Sequence, residues 1–154
     1  MYKKQVKLWT DTVSLPDWLK LYKSYYAFDN RVVRVDDVRE NSKGYVIQME
    51  NINGESLDRL DFYKLNIKQK RFIFNEVADI WWNHLQFQHD ILADDAMFYH
   101  SDYHLGNLLY TGDAVRLIDP DSFFKRHVDF QSRYVGQFMD TFYFMLQNML
   151  MEAK

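Results

Sequence analysis

The 154-residue chain has no cysteine, which excludes disulfides and cysteine-ligated zinc and fits a reducing, cytoplasmic compartment. Glycine is scarce at five residues, and none precedes Gly44, so the first quarter of the chain holds no glycine-rich phosphate loop. Basic excess is also missing. Nineteen Lys and Arg against 22 Asp and Glu leave a net charge of −3, which argues against nucleic acid or an anionic membrane as partner. The opening MYKKQVKLW lacks the apolar stretch of a signal peptide. The most apolar late segment, Val135 to Met151, is interrupted by Gln137, Asp140, Gln147 and Asn148, so no membrane span is expected. What the chain does have is 47% hydrophobic and 18% aromatic residues, enough to bury the core of one soluble domain.

Periodicity predicts an α+β chain. Tyr2 to Trp9 alternates weakly, as an edge strand would. Ser14, Pro16 and Asp17 form a helix-start signal for a helix reaching about Tyr26. Arg31 to Val38 and Tyr45 to Met49 flank the turn-forming Asn41 to Gly44 and predict an antiparallel hairpin. After Asn53-Gly54 a short helix is expected over Ser56 to Tyr63. A long one follows over Lys68 to His89, with Phe72, Val77, Ile80, Trp81, His84, Leu85 and Gln88 on one face. His84 and His89 read as packing or surface residues. A last amphipathic helix is expected over Arg133 to Met151, and its aromatic and methionine density would favour self-association into a homo-oligomer.

One stretch gathers unusual polarity: YHSDYHLGNLLYTGDAVRLIDPDSF, residues 99 to 123. If it is extended, His100, Asp102 and His104 share a side. Leu108 to Tyr110 and Val115 to Ile118 read as two short strands joined around Gly112-Asp113. A three-residue loop would pair Leu108 with Ile118 and set Asn107 opposite Asp119, and a two-residue loop would shift this by one position. Either way an amide oxygen and a carboxylate reach one end of a hairpin beside Asp102. Asp121 lies two residues after Asp119 and shares its side if the chain stays extended. Converging hard oxygen donors suit Mg²⁺, which keeps room for phosphate oxygens and water.

The pattern His100-x-Asp102-x-His104-x-x-Asn107, followed by a hairpin and Ile118-Asp119, resembles the catalytic loop and metal-binding acid of aminoglycoside phosphotransferases and choline kinases, a branch of the protein-kinase-like superfamily. Val46 to Leu57 is similar to the strand and hinge joining the two lobes of those enzymes. The resemblance covers about residues 31 to 123. It implies a protein-kinase-like fold in a single domain over 1–154, with a reduced N-terminal β lobe and hinge in 1–52 and a shortened, mainly helical lobe in 53–154. It also implies ATP and Mg²⁺ as cofactors and a small-molecule hydroxyl as acceptor, in preference to a protein. In this reading Asp102 would accept or orient the acceptor hydroxyl, His100 would buttress the loop, and His104 would mark the small-molecule branch. Asn107 and Asp119 would hold Mg²⁺, with Asp121 a further candidate displaced by Pro120. Glu50, Asn51 and Ile52 would meet adenine, and Leu109 and Ile118 would form its apolar floor. The lysine for the phosphates would be Lys4 or Lys7, which fall on opposite sides of the first strand.

Two other readings use the same residues. A binding module that has lost turnover would keep the polar cluster as a hydrogen-bonded network. A metallohydrolase would instead take His100, Asp102 and His104 as ligands for zinc or another transition metal.

Overall fold

The computed structural model describes residues 2–6, 14–89, 96–127 and 131–150. Helix α1 (Leu15–Phe28) starts as its sequence predicts: Ser14 caps it by accepting a hydrogen bond from the Asp17 amide, and Pro16 sits in the first turn. It runs two residues beyond Tyr26, and the Asp29 amide closes it on the Tyr25 carbonyl at 2.8 Å. Trp18, Tyr22 and Tyr25 form its buried face. Each has a polar tip that needs a partner once desolvated. The Trp18 indole donates to the Phe123 carbonyl at 2.8 Å, and the Tyr22 hydroxyl donates to the Val33 carbonyl at 2.6 Å.

Three antiparallel strands form the first sheet in the order β1 (Tyr2–Val6), β3 (Gly44–Met49), β2 (Val35–Asn41). In β3 the side chains of Tyr45, Ile47 and Met49 alternate inward, the period expected of a strand with one buried face. The expected strand from Arg31 begins four residues late. Arg31 to Val33 instead pair with Leu117: the Val33 amide donates to its carbonyl and the Leu117 amide to Arg31, both at 2.9 Å. A second sheet runs β4 (Glu55–Ser56), β6 (Leu108–Tyr110), β7 (Val115–Leu117), so residues 31–33 join the two sheets. The chain crosses between them through 50–54. Gly54 is needed there because a Cβ would lie 2.9 Å from the Tyr110 carbonyl oxygen.

The predicted helix over Ser56 to Tyr63 does not form. Glu55 and Ser56 are drawn into pairing with β6, and only a single 3₁₀ turn, Phe62–Lys64, follows. Helix α2 (Ile67–Phe87) opens with a reciprocal capping box between Asn66 and Gln69. Its buried face is Ile73, Val77, Ile80, Trp81, His84 and Phe87. Phe72 and Leu85, expected inside, are exposed, and Trp82 points to solvent. Helix α3 (Gln131–Leu150) packs on α2 through Phe142 against Phe74 and Phe138 against Trp81, each pair 5.0 Å between ring centres. Met151 lies outside the described residues, as do Lys7, Leu8 and Trp9.

β5 (Ala96–His100) and β8 (Phe123–His127) form a separate antiparallel pair. Phe123 sits at the centre of the interior, within 5.0–5.6 Å of the rings of Tyr25, Tyr22, Phe98, His100 and His84. Three helices and several short sheets thus make a mixed α+β fold among the described residues. No helix among them is long and apolar enough to cross a membrane.

Candidate functional site

The polar stretch is built around the β6–β7 hairpin. Leu108 pairs with Leu117 and Tyr110 with Val115, and the Thr111 amide reaches the Ala114 carbonyl at 2.9 Å. This is the register of the two-residue loop at Gly112-Asp113, so Ile118 rather than Asp119 lies opposite Asn107, with its amide donating to the Asn107 carbonyl at 2.9 Å. The chain then turns sharply. Asp119 has φ 70°, a left-handed conformation unusual for a residue with a Cβ. Pro120 to Ser122 complete a 3₁₀ turn that leads into β8.

Asp119 and Asp121 are brought together, and Lys4 is the cation between them. Its ammonium contacts Asp119 directly and lies 3.0 Å from Asp121. Of the two candidate lysines, Lys4 is the one within the described residues, and it reaches both carboxylates. The Ser122 hydroxyl also donates to Asp119, at 2.8 Å. Burial alone would raise the Asp119 carboxyl, but Lys4, aided by Ser122, holds it down at about 2. Burial and the neighbouring Asp119 charge raise Asp121. Burial also acts against the Lys4 charge, and the two carboxylates reverse that and raise it.

Lys4 and Asp119 belong to the wall of a cavity of about 230 Å³, which Glu50, Asn51, Ile52, Leu109 and Ile118 also line. The five residues that the resemblance sets against adenine, and Lys4 of the two candidate lysines, line this one cavity. Val33, Met49 and Pro120 complete its wall and were not foreseen. Nor was the ion pair behind it: Arg116 on β7 contacts Glu50 and donates to the Val32 carbonyl at 3.2 Å, and Glu50 accepts the Arg34 amide at 2.8 Å. The cross-chain partner at residue 50 depends on the joining of the two sheets, and no local pattern announces it.

The expected sharing of one side by His100, Asp102 and His104 is not found. β5 ends at His100 and a turn follows, so His100 points inward and is fully buried while Asp102 and His104 are exposed. Both ring nitrogens of His100 are used. Nδ1 accepts the Asp102 amide at 3.1 Å, and Nε2 donates to the Ile118 carbonyl at 2.8 Å. Burial pushes its pKa down to about 4, so it is neutral at pH 7. With neither nitrogen free, His100 cannot join Asp102 and His104 as a metal ligand. No group of three or more histidines or acids able to hold a metal occurs among the described residues. Asp119 and Asp121 are brought together by Lys4, whereas the Asn107 side chain is tied to Asp102 and His104.

Asp102 faces a second cavity, of about 480 Å³. Its lining includes Asp58, Tyr103, His104, Asp140, Phe144 and Asn148, so with Asp102 three carboxylates surround the space beside the Tyr103 and Phe144 rings. Asn107 fixes Asp102 from behind, donating to its backbone carbonyl at 2.8 Å and to Oδ2 at 3.3 Å. The hairpin strands thus separate a mostly apolar cavity with charge at one end from an open acidic one. No family model matches the chain, and no curated protein matches it.

Proposed function

We propose that this chain has a reduced protein-kinase-like fold and transfers the γ-phosphoryl group of ATP, with Mg²⁺, to the hydroxyl of a small molecule. The observation that supports the reading is the pairing of two cavities: one combines an apolar wall with Lys4 and Asp119, and the other presents Asp102. Adenine would lie against Ile52, Leu109 and Ile118 along the 50–52 backbone. Asp119, Asp121 and Asn107 would hold Mg²⁺, which when bound neutralises phosphate charge. Lys4 would then turn from the carboxylates to a phosphate oxygen.

In the transfer, the acceptor oxygen forms a bond to the γ-phosphorus as the bond to the β,γ-bridging oxygen breaks. The electron pair leaves with ADP, and the hydroxyl proton passes to Asp102. Most of the acceleration comes from positioning and charge neutralisation. Asp58, Asp102 and Asp140 favour an acceptor that carries positive charge as well as a hydroxyl.

A second reading, a nucleotide-binding module without turnover, draws on the lack of any glycine before Gly44 and on the occupation of both site carboxylates by Lys4. Two variants separate them. Asp119→Ala should weaken Mg²⁺-dependent ATP binding, read as loss of the thermal upshift that a native-state ligand gives. Asp102→Asn should leave that binding intact and lower phosphate transfer, or slow ATP hydrolysis, by about 10²–10⁴-fold. Equal rates for wild type and Asp102→Asn across a panel of hydroxyl acceptors would leave the binding module standing.

A further inference from the structure

The two histidines of the loop use the same hydrogen-bond logic in opposite surroundings. In each, Nδ1 accepts a backbone N–H two residues ahead: Asp102 for His100 at 3.1 Å, Gly106 for His104 at 3.0 Å. An amide can only donate, so each Nδ1 is the unprotonated nitrogen and each Nε2 carries the hydrogen. His100 spends its Nε2–H on the buried Ile118 carbonyl. At His104 the acceptor in reach is different. Its Nε2 lies 3.4 Å from Asp102 Oδ2 and 3.3 Å from Asn107 Nδ2, and an N–H directed there finds an acceptor only in the carboxylate. The ring is seated tightly: a Cβ on Gly106 would lie 2.7 Å from His104 Cε1 and 2.9 Å from Nδ1.

We infer that His104 is the positioning residue for Asp102, seated on Gly106 so that its Nε2–H engages Oδ2 and leaves Oδ1 to meet the acceptor hydroxyl. The inference rests on the phosphotransferase reading and adds to it a role for the second histidine and a reason for glycine at 106. Asn107 donates to Oδ2 at 3.3 Å, and His104 Nε2 stands 3.4 Å from the same oxygen. Oδ1 receives no hydrogen bond from the described residues, so in the transfer it is the oxygen that takes the hydroxyl proton. An exposed carboxylate without this brace samples several rotamers, and misplaced bases lose rate without losing affinity.

The test uses the full chain, Mg²⁺-ATP, and ethanolamine and glucosamine as probe acceptors, with hydrolysis to water in parallel. His104→Asn removes the donor at the ε position and should lower kcat by about tenfold to a hundredfold with ATP affinity and acceptor KM little changed. His104→Gln, whose amide nitrogen reaches the place of Nε2, should recover most of that loss. Gly106→Ala should reproduce the His104→Asn defect by displacing the ring, and should add nothing when combined with His104→Asn. His104 is half exposed, so these variants should unfold at the wild-type temperature. An active wild type matched in kcat by His104→Asn, or additive losses in the double variant, would overturn the role of His104. A wild type with no transfer or hydrolysis at all would overturn the phosphotransferase reading, and this assignment with it.

Discussion

Two charged clusters in this molecule share the same side-chain chemistry and serve different ends. At the end of α1, Arg31 binds Asp29 through two nitrogens at 2.8 and 2.9 Å, Glu76 at 2.6 Å and Asp79 at 3.0 Å, and Asn83 donates to Asp29 at 2.9 Å. Asp29 is buried and is held below the usual carboxylate range, because these donors outweigh the cost of its burial. A planar guanidinium with its nitrogens committed is a fixed joint between α1 and α2. At the cavity, a single flexible ammonium stands between Asp119 and Asp121. Lys4 is a point charge on a long stem, a third exposed, and gives up its partners at little cost. An ion pair built on arginine in the interior fastens elements, whereas one built on lysine at a cavity mouth leaves its carboxylates exchangeable.

The largest effect should come from breaking the first cluster. Arg31→Met leaves Asp29 buried without its cation and should destabilise the fold by about 3–5 kcal/mol in urea unfolding. Arg31→Lys should recover little, because one ammonium cannot reproduce the two-nitrogen contact.

Ring for ring, a smaller effect concerns the aromatic interior around Phe123. Burial lowers both His84 and His100 to about 4, against about 6.5 in an unfolded chain. Above pH 6.5 both states hold these rings neutral and stability is complete. Between pH 6.5 and 4 the unfolded chain takes up protons that the native state refuses, so stability should fall with pH, by about 3 kcal/mol for each ring. Urea titrations from pH 7.5 to 4.5 should show this slope, reduced in His84→Gln. A flat profile would mean that the interior admits the charged rings.

The smallest effect belongs to the second cluster. Lys4→Met should change stability by less than about 1 kcal/mol, since a partly exposed lysine pair contributes little. It should nevertheless weaken Mg²⁺-ATP binding. A loss of stability as large as that of Arg31→Met would erase the distinction between the two clusters.

Much of this was legible locally. Ser14 and Pro16 announced α1, whereas the Asn66–Gln69 capping box that opens α2 was found only in the structure. The spacing of Leu108 to Tyr110 and Val115 to Ile118 around Gly112-Asp113 limited the hairpin to two registers. These signals rest on neighbours within a few residues, where backbone geometry leaves few choices. Errors arose where a distant segment competed. Ser56 had helical surroundings but was captured by β6, and Arg31 to Val33 left their expected partner for Leu117. On α2, Phe72 and Leu85 gave way to Ile73 and Phe87, since the position of Tyr25 and Phe123 decided which face turned inward. The turn after His100 could not be told from extended chain, because its three hydrogen bonds to the 118–122 segment are long-range.

By itself the sequence determined the residue types of the site and their order: His100, Asp102, His104, Asn107, then Asp119 and Asp121 across a short hairpin. It also determined that no glycine stands before Gly44 and that no cysteine occurs, because composition needs no partner. Only the tertiary structure decided that Lys4 reaches the carboxylates, that His100 turns into the core while His104 stays outside, and that Glu50 is tied to Arg116. Each of those outcomes depends on where one segment docks against another many residues away, and that docking is set by burial of the shared aromatic interior, which no local spacing encodes.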